Sequence, residues 1–380
     1  MSALKENSVR RYDLDSLRIL ATLLLIPYHT ARIFNCPRFG CYFVQNDIIS
    51  PVLNLFVSFV DLWFMPLFFF IAGAAAKYSL DNRTQKQYCL ERFKKLLIPL
   101  IFGVLFLIPP ISYFGFISHN KNIDLFYYEY YPSFFNFSHK NITIFTGGFS
   151  PAHLWFVLYL FCFSLITLPI FKYLQIRDKQ QFISNSAKYL AQNPIIIFLC
   201  VVPLALARMT VIAYYNPVYF IIYFLLGYLY PLDQEFQKAI DKNNSTSLIL
   251  ALTITLFYLY SKNDFFPLIW GFSFRSILDQ LLLSLNTLCW VIVILNFAKK
   301  YLNRNHLFLA YLNQASYPIY IIHMTFIVPI GFYIVQWKTA LMLKFLCILL
   351  TSSISILVAY HFLIKRFNLT RILFGMKLKK

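Results

Sequence analysis

Long apolar runs alternate with short polar stretches along the whole chain. Ten runs approach or exceed the ~20 apolar residues that one helix needs to cross a bilayer core. They lie at about 17–34, 52–76, 96–113, 153–173, 194–213, 216–232, 246–261, 276–298, 316–335 and 340–364. Their apolar residues are contiguous rather than alternating, which predicts helices and argues against a transmembrane β-barrel. The fifth and sixth runs are separated only by the turn around Tyr214, Tyr215 and Asn216. Residues 301–312 read as a short interfacial helix, because Tyr301, Leu302, Leu307, Phe308, Leu309 and Tyr311 alternate with polar residues. There is no internal repeat and no low-complexity tract, so the expectation is one domain over 1–380.

Composition turns this pattern into a membrane assignment. Hydrophobic residues make up 59% and charged residues 13%, against ~45–50% and ~25% in soluble domains. Too little polar surface remains to coat a water-soluble body. The net charge of +19 would suggest nucleic acid on a soluble chain, but its distribution fits a polytopic membrane protein instead. With a cytoplasmic N-terminus, 24 of the 34 Lys and Arg fall in inner segments, six in outer loops and four inside helices. Such asymmetry is the positive-inside signature, and it places both termini in the cytoplasm. The first helix carries Arg18 and His29 and has no clear small-residue cleavage site, so it reads as a retained span.

The largest outer loop, 114–152, is aromatic and polar: Tyr127, Tyr128, Tyr130, Tyr131, Phe134, Phe135 and Phe137, with Asp124 and Glu129. It suits either a cover with stacking surfaces for sugar rings or an interfacial aromatic belt. Cys162, Cys200, Cys289 and Cys347 lie in apolar helices as small hydrophobes. Cys36 and Cys41 share one short outer loop, where an oxidising periplasm would permit a local disulfide. No zinc-ligand spacing occurs.

The ionisable residues inside the apolar runs are the main candidates for chemistry, since each costs roughly 2.5–3.5 kcal/mol on insertion scales. Arg18 and His29 are eleven residues apart. At ~100° per residue they return to within ~20° of one another, on one helix face and ~16 Å apart along the axis. Pro27 frees the carbonyl of Leu23 beside the imidazole. At the inner mouth of the third helix, Arg92 and Lys95 are three residues apart and should share a face. With Arg18 they form a set able to bind a polyanion, although plain positive-inside anchoring also accounts for the pair. Asp61 lies at about the outer depth of His29 on the second helix, either as its carboxylate partner or as a partner of Arg32. His323 is mid-helix in the ninth run and His153 is at the outer end of the fourth. His361 and Lys344 have no evident role, and Arg208, Arg275 and Asp279 lie near the outer surface.

Several fragments resemble the membrane-bound acyltransferase family 3, whose members O-acylate bacterial surface carbohydrates. They are Tyr12-Asp13-Leu14-Asp15-Ser16-Leu17-Arg18 leading to His29, then Phe64-Met65-Pro66-Leu67-Phe68-Phe69-Phe70-Ile71-Ala72-Gly73 in the second run. Arg92-Phe93-Lys94-Lys95 stands where the family has Arg-x-x-Arg, with Lys95 a departure that loses the bidentate fork. His153-Leu154-Trp155-Phe156 and Ser316-Tyr317-Pro318-Ile319-Tyr320-Ile321-Ile322-His323 complete the set. The second-run Gly73-Ala74-Ala75-Ala76 and the C-terminal Leu373-Phe374-Gly375-Met376-Lys377 resemble the branch of the periplasmic glucan-succinylating protein.

The resemblance implies an all-α protein of about ten transmembrane helices in the bacterial inner membrane. Cytoplasmic acyl-CoA is the implied donor substrate, with no permanently bound cofactor and no metal. Its phosphates would dock on Arg18, Arg92 and Lys95. His29 would act as base on a hydroxyl of an extracytoplasmic glycan or glycolipid, with Asp61 and His323 as further catalytic candidates. The partners are then acyl-CoA, the glycan or glycolipid and the lipid bilayer, with no nucleic acid. A carbohydrate or glycolipid transporter or flippase is the second reading, in which the intramembrane charges line a pathway. The topology is testable directly. A C-terminal reporter fusion should report a cytoplasmic C-terminus, and one active only outside the cytoplasm would remove one span from the count.

Overall fold

The computed structural model describes residues 11–35, 42–120, 125–136, 145, 147–210, 216–260 and 273–379, and no strand occurs among them. In chain order the helices are α1 (Tyr12–Arg32), α2 (Pro51–Asp61), α3 (Phe64–Asp81) and α4 (Gln85–His119). Then come α5 (Tyr127–Phe134), α6 (Trp155–Ile166), α7 (Leu168–Leu174), α8 (Arg177–Gln192) and α9 (Val201–Met209). The last are α10 (Pro217–Leu229), α11 (Gln234–Lys242), α12 (Asn244–Tyr260), α13 (Phe274–Tyr301), α14 (Leu307–Ile334), α15 (Leu341–Ile364) and α16 (Asn368–Leu373). Local signals explain many starts. Ser50 caps α2 ahead of Pro51, Thr84 and Gln87 form a capping box at α4, and Asn216 and Ser273 cap α10 and α13.

Among the described residues, five helices are long and apolar enough to cross a membrane by themselves: Pro51–Asp81, Gln85–His119, Phe274–Leu302, Leu307–Ile334 and Leu341–Ile364. The number rises to seven if each of two bent pairs is one span. One bend, of 48°, separates α6 from α7, where Pro169 offers no N–H to the carbonyl of Leu165. The other, of 111°, precedes Pro194, which disfavours helix at Asn193. The amphipathic α8 therefore turns away from α9 and packs on α11, where Lys242 Nζ donates to Ala191 O at 2.6 Å. Two other apolar helices, Pro217–Leu229 and Asn244–Leu259, are shorter. The 21 residues of α1 include Asp13, Asp15, Arg18 and Arg32, which dilute its apolar run. One expectation is corrected: Leu307–Tyr311 does not belong to a separate interfacial helix but forms the first turns of α14. The Cys36–Cys41 pair and the Tyr214–Tyr215 turn lie outside the described residues.

Prolines shape α4. Ile98 N–H bonds to Phe93 O and Ile108 N–H to Gly103 O, five residues back in each case, so Phe93–Leu97 and Gly103–Leu107 are π turns. Each immediately precedes a proline, Pro99 and Pro109, whose ring displaces the carbonyl four residues earlier. One such carbonyl, Leu105 O, is taken up by the Tyr131 hydroxyl at 3.1 Å. α1 forms the centre of the bundle, touching α2, α3, α13, α14 and α15.

Helices α3 and α10 approach backbone to backbone, and glycine allows it. A Cβ on Gly73 would stand 1.9 Å from Phe224 O, and one on Gly227 would stand 1.9 Å from Phe70 O. Small residues at a lipid-embedded interface allow this backbone approach. Gly73→Ala and Gly227→Ala should therefore each destabilise the protein by about 1–3 kcal/mol through overpacking. The check is thermal melting in detergent, and a melting temperature equal to that of the unmodified protein would mean that the pair slides apart without cost.

Candidate functional site

The site is built on two parallel helices in register, α1 and α14. At one end Arg18 donates through Nη2 to Asn313 Oδ1, and to Asp15 Oδ1 at 3.2 Å. At the other, His29 Nδ1 lies 2.9 Å from Tyr42 Oη, whose hydroxyl donates to Met324 Sδ at 3.3 Å. Eleven residues separate the contacts on each helix, so the ~16 Å offset expected along α1 is matched along α14. Tyr42 is held in turn, because its backbone carbonyl accepts from His119 Nε2 at 2.7 Å, at the end of α4. With the Tyr42 hydroxyl directed to Met324, its oxygen accepts from His29 Nδ1–H. The lone pair of His29 is then on Nε2, and His29 is only half-buried.

Two further histidines meet this imidazole. The His29 and His323 rings are 5.0 Å apart between centroids, and the His323 and His153 rings 4.9 Å. His323 Nδ1 lies 2.6 Å from Tyr320 O, and His153 Nε2 lies 2.8 Å from Ile321 O. A carbonyl only accepts, so those nitrogens carry the hydrogens, and His323 Nε2 and His153 Nδ1 present lone pairs. Both of these atoms are buried without a hydrogen-bond partner among the described residues. His153 is aimed by an unusual backbone: Ala152, just before it, has φ 42°, a left-handed conformation costing a non-glycine residue roughly 1–2 kcal/mol. Strain of that kind concentrates at functional positions. His323 was among the catalytic candidates of the sequence. The convergence of His153 was not, although it opens one of the family-like fragments.

The cations gather around the first turns of α14. Arg18 reaches Asn313, and Arg92 lies within electrostatic reach of Tyr317, one turn further on. The Lys95 backbone approaches the same tyrosine across Gly375: a Cβ there would lie 2.7 Å from Lys95 O and 2.9 Å from Tyr317 Cε1. Gly375 also has φ +66°, which explains glycine in the C-terminal fragment. Arg92 and Lys95 do not point alike, however. The guanidinium lies over the Tyr88 ring, 4.4 Å from its centroid, while Lys95 Nζ pairs with Glu91 at 3.2 Å. The π turn beginning at Phe93 adds a residue to the winding, so the three-residue spacing no longer brings side chains onto one face. Arg92 Nε and Tyr317 Oη are buried, with no hydrogen-bond partner among the described residues.

Asp61 is brought next to Tyr28, whose hydroxyl donates to Asp61 Oδ1. Tyr28 stands edge-on to His29, with centroids 4.9 Å apart. Tyr28 thus links this carboxylate to the neighbourhood of His29. Lys344 is a buried strut, donating to Asn46 Oδ1 at 3.0 Å and Val335 O at 2.7 Å. Arg208 binds Gln280 and Tyr219. Of the aromatic outer loop, Tyr130 and Phe134 are buried in packing, and burial raises the Tyr130 hydroxyl above the usual tyrosine value. Phe126 and Tyr128 are exposed and stacked, 5.7 Å apart.

Comparison with known proteins gives this geometry a context. A family model described as an acyltransferase domain matches residues 11–361. The chain is similar to the glucans biosynthesis protein C of Salmonella schwarzengrund (strain CVM19633), 22% identical over 353 residues, with 89% of this chain and 88% of that protein covered. It is likewise similar to the glucans biosynthesis protein C of Escherichia coli (strain SMS-3-5 / SECEC), 25% identical over 356 residues, with 89% and 87% covered. No solved structure matches.

The hydroxyl of Tyr42 yields a prediction. Tyr42→Phe keeps the ring and its packing but releases His29 Nδ1. The variant should melt like the parent and lose at least about tenfold in turnover, since ~1.4 kcal/mol of lost transition-state stabilisation is already tenfold. Parental turnover would reduce Tyr42 to a packing role.

Proposed function

Because the chain belongs to the membrane-bound acyltransferase family 3, and is thus an acyltransferase, we propose that it moves an acyl group from cytoplasmic acyl-CoA to an extracytoplasmic hydroxyl. The acyl group is of the acetyl or succinyl class, and the acceptor is a carbohydrate or glycolipid. The printed name of the relatives, glucans biosynthesis protein C, makes a glucan the first acceptor to try. The carrying observation is the register of α1 and α14, with Arg18 at Asn313 and His29 at the other end. That separation of ~16 Å is comparable to the pantetheine arm that joins the phosphates of CoA to its thioester.

In this reading Arg18, Arg92 and Lys95 hold the phosphates through charge-assisted hydrogen bonds, worth roughly 1.5–3 kcal/mol each. His29 Nε2 takes the proton of the acceptor hydroxyl as its oxygen attacks the thioester carbon. The C–S bond breaks, the CoA sulfur leaves with the electron pair, and the imidazolium returns its proton to that sulfur. Tyr42, receiving Nδ1–H, keeps the ring in the tautomer that this requires. Asp61 acts on His29 through Tyr28, and His323 packs against the reacting imidazole.

The proposal includes one domain over 1–380, ten spans and both termini in the cytoplasm of a bacterial inner membrane. The parallel pairing of α1 with α14 supports it, because parallel spans are separated by an even number of crossings counted from the first. Titration of acetyl-CoA and succinyl-CoA against purified protein, followed by turnover, tests the reading. His29→Gln should bind donor but lose at least about a hundredfold in turnover. Arg92→Ala and Lys95→Ala should weaken binding about tenfold, one hydrogen bond's worth, and Lys95→Arg should retain it. An unmodified protein that binds no acyl-CoA would sink the acyl-CoA reading and leave the acyltransferase with a different acyl donor.

A further inference from the structure

An acidic residue bridges two cations at the inner end of α4. Glu91 Oε1 lies 3.2 Å from Lys95 Nζ, and Glu91 Oε2 lies 2.9 Å from Arg83 Nε. Each oxygen of one carboxylate thus meets a different cation. Lys95 comes from α4 itself, and Arg83 from the turn that joins α3 to α4. Arg83 has a second hold on the fold. Its Nη1 donates to Ser79 O at 3.3 Å and to Ser79 Oγ at 3.2 Å, in the last turn of α3. The guanidinium therefore stays anchored when Glu91 moves. All three side chains are open to solvent: Arg83 is 31% exposed, Glu91 27% and Lys95 37%.

This bridge bears on the role of Lys95. The acyl-CoA reading gives Lys95 a phosphate, yet its ammonium is engaged by a carboxylate one turn back on its own helix. The two roles are compatible when one anion exchanges for the other. Exchange is easy here, because an ion pair this exposed is held weakly in water. A phosphate also competes well. A phosphate monoester carries about −1.5 to −2 near neutral pH, more than a carboxylate does. Its oxygens fit the guanidinium fork as those of a carboxylate do. The carboxylate of Glu91, with one oxygen on each cation, therefore occupies the position that two oxygens of a phosphate would take.

We infer that Arg83 and Lys95 form a two-cation seat for a phosphate of the donor, and that the Glu91 carboxylate bridging them gives way to it. The inference rests on the acyl-CoA reading above. It adds to that reading one donor-binding residue, Arg83, and one competitor, Glu91. Because Glu91 competes with any phosphate, it lowers the affinity for CoA as well as for acyl-CoA. The product then leaves as the carboxylate returns to Lys95. Only ions exchange in this step, and no covalent bond is made or broken.

The test separates a phosphate seat from a bridge that only joins α3 to α4. Two donors are compared on purified variants that melt like the parent: acetyl-CoA, and S-acetylpantetheine, which has the same thioester and arm but no phosphate. Glu91→Gln keeps the size of the side chain and removes its charge. It should bind acetyl-CoA about fivefold more tightly, since one like charge is gone from the rim of the site. Its kcat/KM for S-acetylpantetheine should equal that of the parent. Arg83→Ala should bind acetyl-CoA about tenfold more weakly, one charge-assisted hydrogen bond's worth, and it serves as the test if Glu91→Gln does not fold. A bridge that only joins helices predicts weaker or unchanged acetyl-CoA binding in Glu91→Gln and no change in Arg83→Ala. Either result would overturn the inference while leaving the acyl-CoA reading intact. An unmodified protein that binds no acetyl-CoA would overturn both. A phospholipid headgroup carries the same phosphate chemistry, so the acetyl-CoA titrations are repeated in bilayer discs of phosphatidylcholine with and without phosphatidylglycerol. A Glu91→Gln gain in both kinds of disc supports the donor seat. A gain that vanishes with phosphatidylglycerol gives the seat to a lipid and overturns the assignment.

Discussion

Placing a guanidinium and an imidazole on one face of a lipid-embedded helix is unfavourable unless other helices supply polar partners at the same heights. That requirement fixes the relation of α1 to α14. Arg18 finds Asn313 and, three turns on, His29 finds the Tyr42–Met324 pair. Two contacts three turns apart define the register of two parallel helices, and a slip by one turn would part Arg18 from Asn313 and Tyr42 from Met324. The positions of Tyr317, Tyr320 and His323 follow, because they are carried on the same rod. Lys344, tied to Asn46 and Val335, braces the outer loop in which Tyr42 is set. Glycine contacts between α3 and α10 then close the bundle around this pair.

The backbone contributes through its irregularities. In lipid an unbonded carbonyl is costly, so prolines within helices require local repair. Here Pro99 and Pro109 are accommodated by π turns, and one freed carbonyl receives the Tyr131 hydroxyl. The repair has a chemical consequence. The π turn at Phe93 separates Arg92 from Lys95, leaving one guanidinium facing the Tyr317 side of α14 and one ammonium paired at its own helix with Glu91. Charge remains at the mouth of the site, but its two halves act in different directions.

Sequence reading recovered what depends on periodicity within one segment. The helical class and the shared face of Arg18 and His29 follow from spacing and from the cost of charge in lipid, whereas His323 became a candidate through the family-like fragment that it closes. Hydropathy gives the height of a residue in the membrane but not its rotation about the helix axis. Asp61 therefore had the right depth for His29 and yet faces Tyr28. Tyr42 was invisible because it sits in a loop, with its place set by His119 from another helix. His153 was legible only as part of a family-like fragment, since its position depends on the positive φ of Ala152. Leu307–Tyr311 looked interfacial because polar residues interrupt it, but its helix continues unbroken into the apolar run.

Three adjacent histidines invite comparison with a proton relay, and the hydrogen bonds argue against one. To pass a proton along, each ring must accept at one nitrogen and release at the other. His323 Nδ1–H and His153 Nε2–H are held by backbone carbonyls, which cannot take a proton at any ordinary pH. Releasing either hydrogen would leave a lone pair facing a carbonyl oxygen, a repulsion inside a low-dielectric core. His29 differs, because its partner is a hydroxyl that can reorient and because it is only half-buried. The trio therefore divides its work. One imidazole is paired with a hydroxyl, and two are fixed by backbone carbonyls as acceptors beside it.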